Sequence, residues 1–85
     1  MAAKNLQVAG IADKSLSKLP KNIQSKIISS FYKIQKNPIT GIKLQGELKS
    51  YYKFRVGDYR VIYKFDIKKS LVMVVKIEHR QGVYK

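Results

Sequence analysis

The sequence contains no cysteine and no tryptophan, two prolines, one histidine and five acidic residues in 85. Without cysteine, no disulfide or thiolate chemistry is available, which suits a reducing cytosol. With His79 as the lone imidazole, a zinc site has too few ligands. The acids Asp13, Glu47, Asp58, Asp66 and Glu78 are scattered, which disfavours a carboxylate-held magnesium site. Glycines 41, 46 and 57 lack the spacing of a phosphate-binding or dinucleotide loop. Long apolar runs are missing too: the stretch from Leu71 to Val75 is far short of a membrane span. Met1 to Gln7 has no apolar core of a signal peptide. These absences lead us to expect no metal, no cofactor and a cytoplasmic chain away from membranes. Composition leaves a Ser-His-Asp triad open, with no spacing that supports one.

A hydrophobic fraction of 45% is ordinary for a folded protein. We expect one domain over residues 1–85, small enough to bury about 60–65% of its unfolded surface. Charge is the outlier. Eighteen Lys and Arg against five Asp and Glu give +13, with a pI near 10.1, which points to a polyanionic partner. Residues 1–42 carry seven bases and one acid, and residues 43–85 carry eleven and four, so net charge does not locate a site. The arginines do, because Arg55, Arg60 and Arg80 all fall in the second half. Lysine supplies diffuse charge, whereas the planar guanidinium fork suits directed phosphate contacts.

The periodicities predict an α+β chain. Leu6 to Ile11 alternates weakly and reads as an edge strand, after which Asp13 is placed to cap a short helix holding Leu16 and Leu19. Pro20 separates that helix from a second one. Ile23, Ile27, Ile28, Phe31 and Ile34 recur at a helical period, and the helix ends before Asn37-Pro38. Residues 39–50 read as a connection. A three-strand antiparallel meander follows, so two N-terminal helices pack on one face of a small antiparallel sheet.

The hairpin Tyr51–Tyr63 is the most informative segment. If Gly57-Asp58 form a two-residue loop, Val56 pairs with Tyr59, Phe54 with Val61, Arg55 with Arg60 and Lys53 with Ile62. Lys53, Arg55 and Arg60 then share the face opposite the apolar one. Like charges directly opposite are destabilising, so such a cluster implies an anion. In the third strand, Leu71, Met73, Val75 and Ile77 are expected on one face and Val72, Val74, Lys76 and Glu78 on the other. With residues 66–70 as the loop and Phe65 opposite Leu71, Arg60 falls opposite Lys76, giving a basic row of Arg55, Arg60 and Lys76. A one-residue slip would move that row to the other face.

Bases beside the aromatic Tyr51, together with the tail His79-Arg80-Gln81-Gly82-Val83-Tyr84-Lys85, fit single-stranded RNA, whose unstacked bases lie on aromatic rings. They also allow chemistry. Clustered cations lower one another's pKa, so a lysine among arginines can act as general base toward a ribose 2′-OH. The arginines would stabilise charge growing on the phosphate. The competing account of Lys53 and Lys76 is a solvated strand lysine. Tyr51 could equally shield the sheet edge, and His79 could be a hydrogen-bonded structural imidazole. Tyr84, next to last, ranks low on position alone.

The runs Lys43-Leu44-Gln45-Gly46, Tyr52 to Tyr63 and His79 to Tyr84, with Leu19-Pro20 before the amphipathic helix, resemble the RelE/ParE superfamily of bacterial and archaeal toxins. The resemblance spans nearly the whole chain and is most specific in the Tyr59–Tyr63 strand and the His79–Tyr84 ending. It implies two helices on an antiparallel sheet. For the RelE branch it also implies a ribosome-dependent, metal-independent endoribonuclease that cuts mRNA in the A site and so inhibits translation. A cognate antitoxin, small and acidic, would neutralise it, and a toxin–antitoxin heterotetramer is one assembly this allows. By position in the motif, the resemblance makes Lys53 and Arg55 the pair handling 2′-OH and phosphate, and Arg60 the phosphate-stabilising arginine. Tyr84 matches the tyrosine that stacks on or orients the mRNA base. Arg80 lies in the terminal basic segment, where some members carry an arginine at the position of Glu78. Lys43, Tyr51, Lys76, His79 and Lys85 complete the expected RNA-binding set. The ParE branch shares the fold, inhibits DNA gyrase and generally lacks the full nuclease set; keeping Lys53, Arg55, Arg60, Arg80 and Tyr84 together favours RNA cleavage.

Overall fold

The computed structural model describes residues 2–44 and 51–79. The chain starts with a short strand, β1 (Asn5–Val8), followed by helices α1 (Gly10–Ser17) and α2 (Lys21–Lys36). Four strands follow: β2 (Ile42–Lys43), β3 (Tyr51–Val56), β4 (Tyr59–Asp66) and β5 (Leu71–His79). They form one five-stranded sheet in the order β1-β5-β4-β3-β2. The meander β3-β4-β5 is antiparallel as the alternation predicted. Two features extend that expectation. β1 pairs parallel to β5, which makes the sheet mixed, and the connection after α2 contains β2, antiparallel to β3.

The helix boundaries have local causes. Asp13 is not the cap of α1; Ala9 holds that position in extended geometry. Asp13 lies in the first turn, where its carboxylate still complements the helix dipole. Leu19 lies beyond α1, in the break before Pro20. Pro20 precedes α2, and its carbonyl accepts from the Ile23 and Gln24 N–H groups. The Gln24 side chain donates back to the Leu19 carbonyl at 2.8 Å, tying the first turns of α2 to the break between the helices. α2 stops where Asn37 leaves the helical region ahead of Pro38, since a following proline disfavours helical backbone at the residue before it.

Both helices cover one sheet face. Ala12 and Leu16 of α1 join Ile27, Phe31 and Ile34 of α2 against Val61, Tyr63, Val72, Val74 and Ile77. Ile27 and Ile34 are fully buried, each contributing about 1.5–3 kcal/mol of transfer free energy. That stripe was readable from its period; Ile28 of the same run is exposed on the outer face of α2.

The register of β5 departs from expectation in two steps. Asp66 pairs with Leu71 and Phe65 with Val72, so the loop is Ile67 to Ser70. The Asp66 carboxylate accepts the Lys69 N–H at 3.1 Å, and Ser70 takes a left-handed φ of 50°. The second step is a β-bulge. Ile62 pairs with Lys76 and Tyr63 with Val74, which leaves Val75 as an extra residue. The bulge exchanges the faces of the second half of the strand. Val72, Val74 and Ile77 are therefore the buried set, and Lys76 and Glu78 share the opposite face with Leu71 and Met73. Arg60 stands opposite Glu78, not Lys76.

Candidate functional site

The sheet face away from the helices gathers the cations. Period-two alternation on β3 and β4 puts Tyr51, Lys53 and Arg55 beside Lys64, Ile62 and Arg60. β5 completes three rows: Arg55-Arg60-Glu78, Lys53-Ile62-Lys76 and Tyr51-Lys64-Met73. The hairpin register is the one the two-residue loop predicts. Gly57 supplies a φ of 59° at the first loop position, which is the role glycine plays in type II′ turns.

Arg55 and Arg60 face each other directly. The Arg55 Nε donates to the Gly57 carbonyl at 3.1 Å, which anchors the guanidinium to the turn. On its other side Arg60 has Glu78, whose carboxylate pairs with the Lys76 Nζ at 3.4 Å. The predicted row of three cations is thus replaced by two arginines closed off by a carboxylate, with Lys76 one row down. Lys64, which sequence reasoning passed over, sits with its ammonium 5.9 Å from the centre of the Tyr51 ring. Its signal was available, because Lys64 follows Arg60 and Ile62 at the same period.

Lys53, Arg55 and Arg60 line one cleft of about 270 Å³ together with Thr40, Gly41, Ile42 and Phe54. Ile42 is in register with Lys53. The loop ahead of β2 is fastened from below by Tyr63, whose side chain is fully buried. Its hydroxyl donates to the Pro38 carbonyl at 2.8 Å and accepts the Gly41 N–H at 3.1 Å. Burial pushes the Tyr63 pKa up from its ordinary value; the Gly41 N–H partly offsets this and the Tyr52 side chain adds to it. A Cβ on Gly41 would lie 2.7 Å from the Lys53 carbonyl and 2.8 Å from the Tyr63 hydroxyl, so this crossing needs glycine. Tyr63, Gly41 and Thr40 were not singled out from sequence, because only the folded chain brings them together.

The remaining expected residues separate. Lys43 pairs with Tyr52 and is exposed on the short edge strand β2. His79 pairs with Tyr59 at the helix-side face, and its ring meets the Tyr59 ring edge-on with centroids 4.8 Å apart. Tyr51 is on the cation-bearing face, two rows from Arg60. Arg80, Tyr84 and Lys85 lie outside the described residues. Among the described residues no group of three His, Cys, Asp or Glu side chains comes close enough to hold a metal ion, and no helix is long and apolar enough to cross a membrane.

Two guanidinium forks and an ammonium at one cleft can bind a phosphodiester through charge-assisted, bidentate hydrogen bonds. Comparison with known proteins gives the family. Residues 6–84 match the family described as the ParE toxin of type II toxin-antitoxin system, parDE. Toxin RelG of Mycobacterium tuberculosis is 29% identical over 76 residues, covering 87% of this chain and 87% of RelG. The toxin–antitoxin complex RelBE2 of M. tuberculosis holds a chain 27% identical to this one, with a TM-score of 0.85 and 94% of both chains covered. A mutant of E. coli toxin RelE in the free state shares the fold with a TM-score of 0.82 at 23% identity, over 99% of this chain and 90% of that one. The match over residues 6–84 and the shared architecture show that this chain belongs to the RelE/ParE superfamily of toxins from type II toxin–antitoxin systems.

Proposed function

We propose that this toxin is a cytoplasmic, ribosome-dependent endoribonuclease that cuts mRNA in the A site without a metal. The observation that carries the reading is the convergence of Lys53, Arg55 and Arg60 on one cleft. In this mechanism Lys53 accepts the proton of the ribose 2′-OH as the 2′-oxygen attacks phosphorus. Arg55 and Arg60 stabilise the charge that builds on the non-bridging oxygens. The bond to the 5′-oxygen breaks, that oxygen takes up a proton from water, and the upstream fragment ends in a 2′,3′-cyclic phosphate. Arg80 and Tyr84 enter by resemblance, Tyr84 stacking on the base. Lys43, Tyr51, Lys76, His79 and Lys85 extend the contact with RNA.

Incubating purified protein with translating ribosomes should give mRNA cut within A-site codons, mapped by primer extension. Intact mRNA at saturating protein would contradict the reading. The family match to ParE supports a second reading, inhibition of DNA gyrase without nuclease activity. Gyrase supercoiling assays separate the two, since the nuclease reading predicts no inhibition.

An antitoxin is the partner we propose for regulation. RelBE2 is a toxin–antitoxin complex, and a +13 chain favours a small acidic protein that covers the cation-bearing face. A heterotetramer is the assembly to look for when the two are co-expressed.

A further inference from the structure

We infer that Tyr63 is a positioning residue for the cleft, acting through the loop from Pro38 to Ile42 to set one wall against the nucleotide beside the scissile phosphate. The inference rests on the cleavage reading above. Its basis is a chain of contacts from the core to the cleft. The buried Tyr63 hydroxyl holds the loop at two points, the Pro38 carbonyl and the Gly41 N–H. Thr40, Gly41 and Ile42 then line the same cleft as Arg60 and Lys53, with Ile42 in register with Lys53. Gly41 leaves no room for a Cβ between itself and the Lys53 carbonyl, so the loop lies directly against the Lys53 backbone. Pro38 is itself fully buried, so the anchored end has little freedom.

What the loop offers a substrate differs from what the cations offer. Ile42 is 66% exposed beside Lys53, an apolar side chain held on a charged rim. Thr40 lines the same wall. A phosphate gains nothing from isoleucine, whereas a ribose or base edge does. The cations therefore hold the phosphate, and the wall sets how the adjoining sugar presents its 2′-oxygen. Small errors in such alignment slow the chemical step more than they weaken binding.

The test uses the full chain on translating ribosomes, with rates expressed per folded molecule. Tyr63→Phe removes the hydroxyl and keeps the ring. Gly41→Ala keeps the tyrosine and displaces the loop, because its Cβ would crowd the Lys53 carbonyl and the Tyr63 hydroxyl. Both should lower kcat about tenfold with KM within about twofold of the parent. The Gly41 amide should also exchange its hydrogen faster in Tyr63→Phe. Val72→Ala, a core truncation remote from the loop, should keep its kcat. Parental kcat in either loop variant, or unchanged Gly41 exchange, overturns the inference and leaves the cleft reading standing if Arg60→Ala is inactive. Full cleavage by Arg60→Ala overturns both.

Discussion

Arg60 faces a like charge on one side and an opposite charge on the other, and that asymmetry sets what its neighbours do. Arg55 makes the pair costly in the free protein and attractive to an anion, while Glu78 relieves part of the repulsion. The Lys76 side chain is 58% exposed, so its pair with Glu78 is largely screened. Glu78→Gln should therefore change stability by no more than about 0.5 kcal/mol in urea titrations. It should raise affinity for a 2′-O-methyl RNA about threefold, the Coulomb effect of removing one nearby negative charge through water. Tyr63 acts by a different route, as a buried group with two hydrogen bonds, and Tyr63→Phe should cost about 1–2 kcal/mol near neutral pH. Its raised pKa gives a sign to the pH dependence. As pH rises past about 10, the unfolded chain ionises at this tyrosine while the folded chain keeps its proton. The parent then loses stability relative to Tyr63→Phe, and the gap between the two proteins should narrow as pH rises above about 10 in urea titrations.

At the level of elements, the hairpin and the long helix are local objects, and both were legible. The Gly57-Asp58 turn, with alternating residues on each side, determines the β3–β4 register without reference to anything distant. Gly57→Ala tests it: a φ of 59° penalises any Cβ, so the variant should lose about 1 kcal/mol by denaturation. The α2 stripe from Ile23 to Ile34 is likewise self-contained. β5 was not legible beyond its existence. Its strict alternation hid a bulge at Val75, because a run of valines reads equally well on either face and only pairing against β4 chooses between them. The parallel docking of β1 and the two-residue β2 depend on long-range pairing that no local pattern encodes. Lys53, Arg55 and Arg60 could be placed from the hairpin alone. Glu78 opposite Arg60, and the Tyr63 clamp on the Pro38–Gly41 loop, could not.

The whole molecule separates its labour by sheet face. One face carries the helices and the apolar core, and the other carries Lys53, Arg55, Arg60, Lys64 and Lys76. With +13 overall, the field of the protein favours approach to polyanions before any specific contact forms. Binding to single-stranded RNA should then weaken with salt, with log K against log salt falling at a slope of about −2 to −4 for three to five phosphate contacts. A slope near zero in anisotropy titrations would place RNA somewhere other than this face. The claim that the face is built for phosphodiester cleavage is tested most directly by primer extension on translating ribosomes with parent protein and Arg60→Ala side by side. The account predicts A-site cuts by the parent and a rate at least about 100-fold lower for a folded Arg60→Ala, the loss expected when one stabilising donor is removed. Equal cutting by the two proteins, or none by the parent, would contradict it.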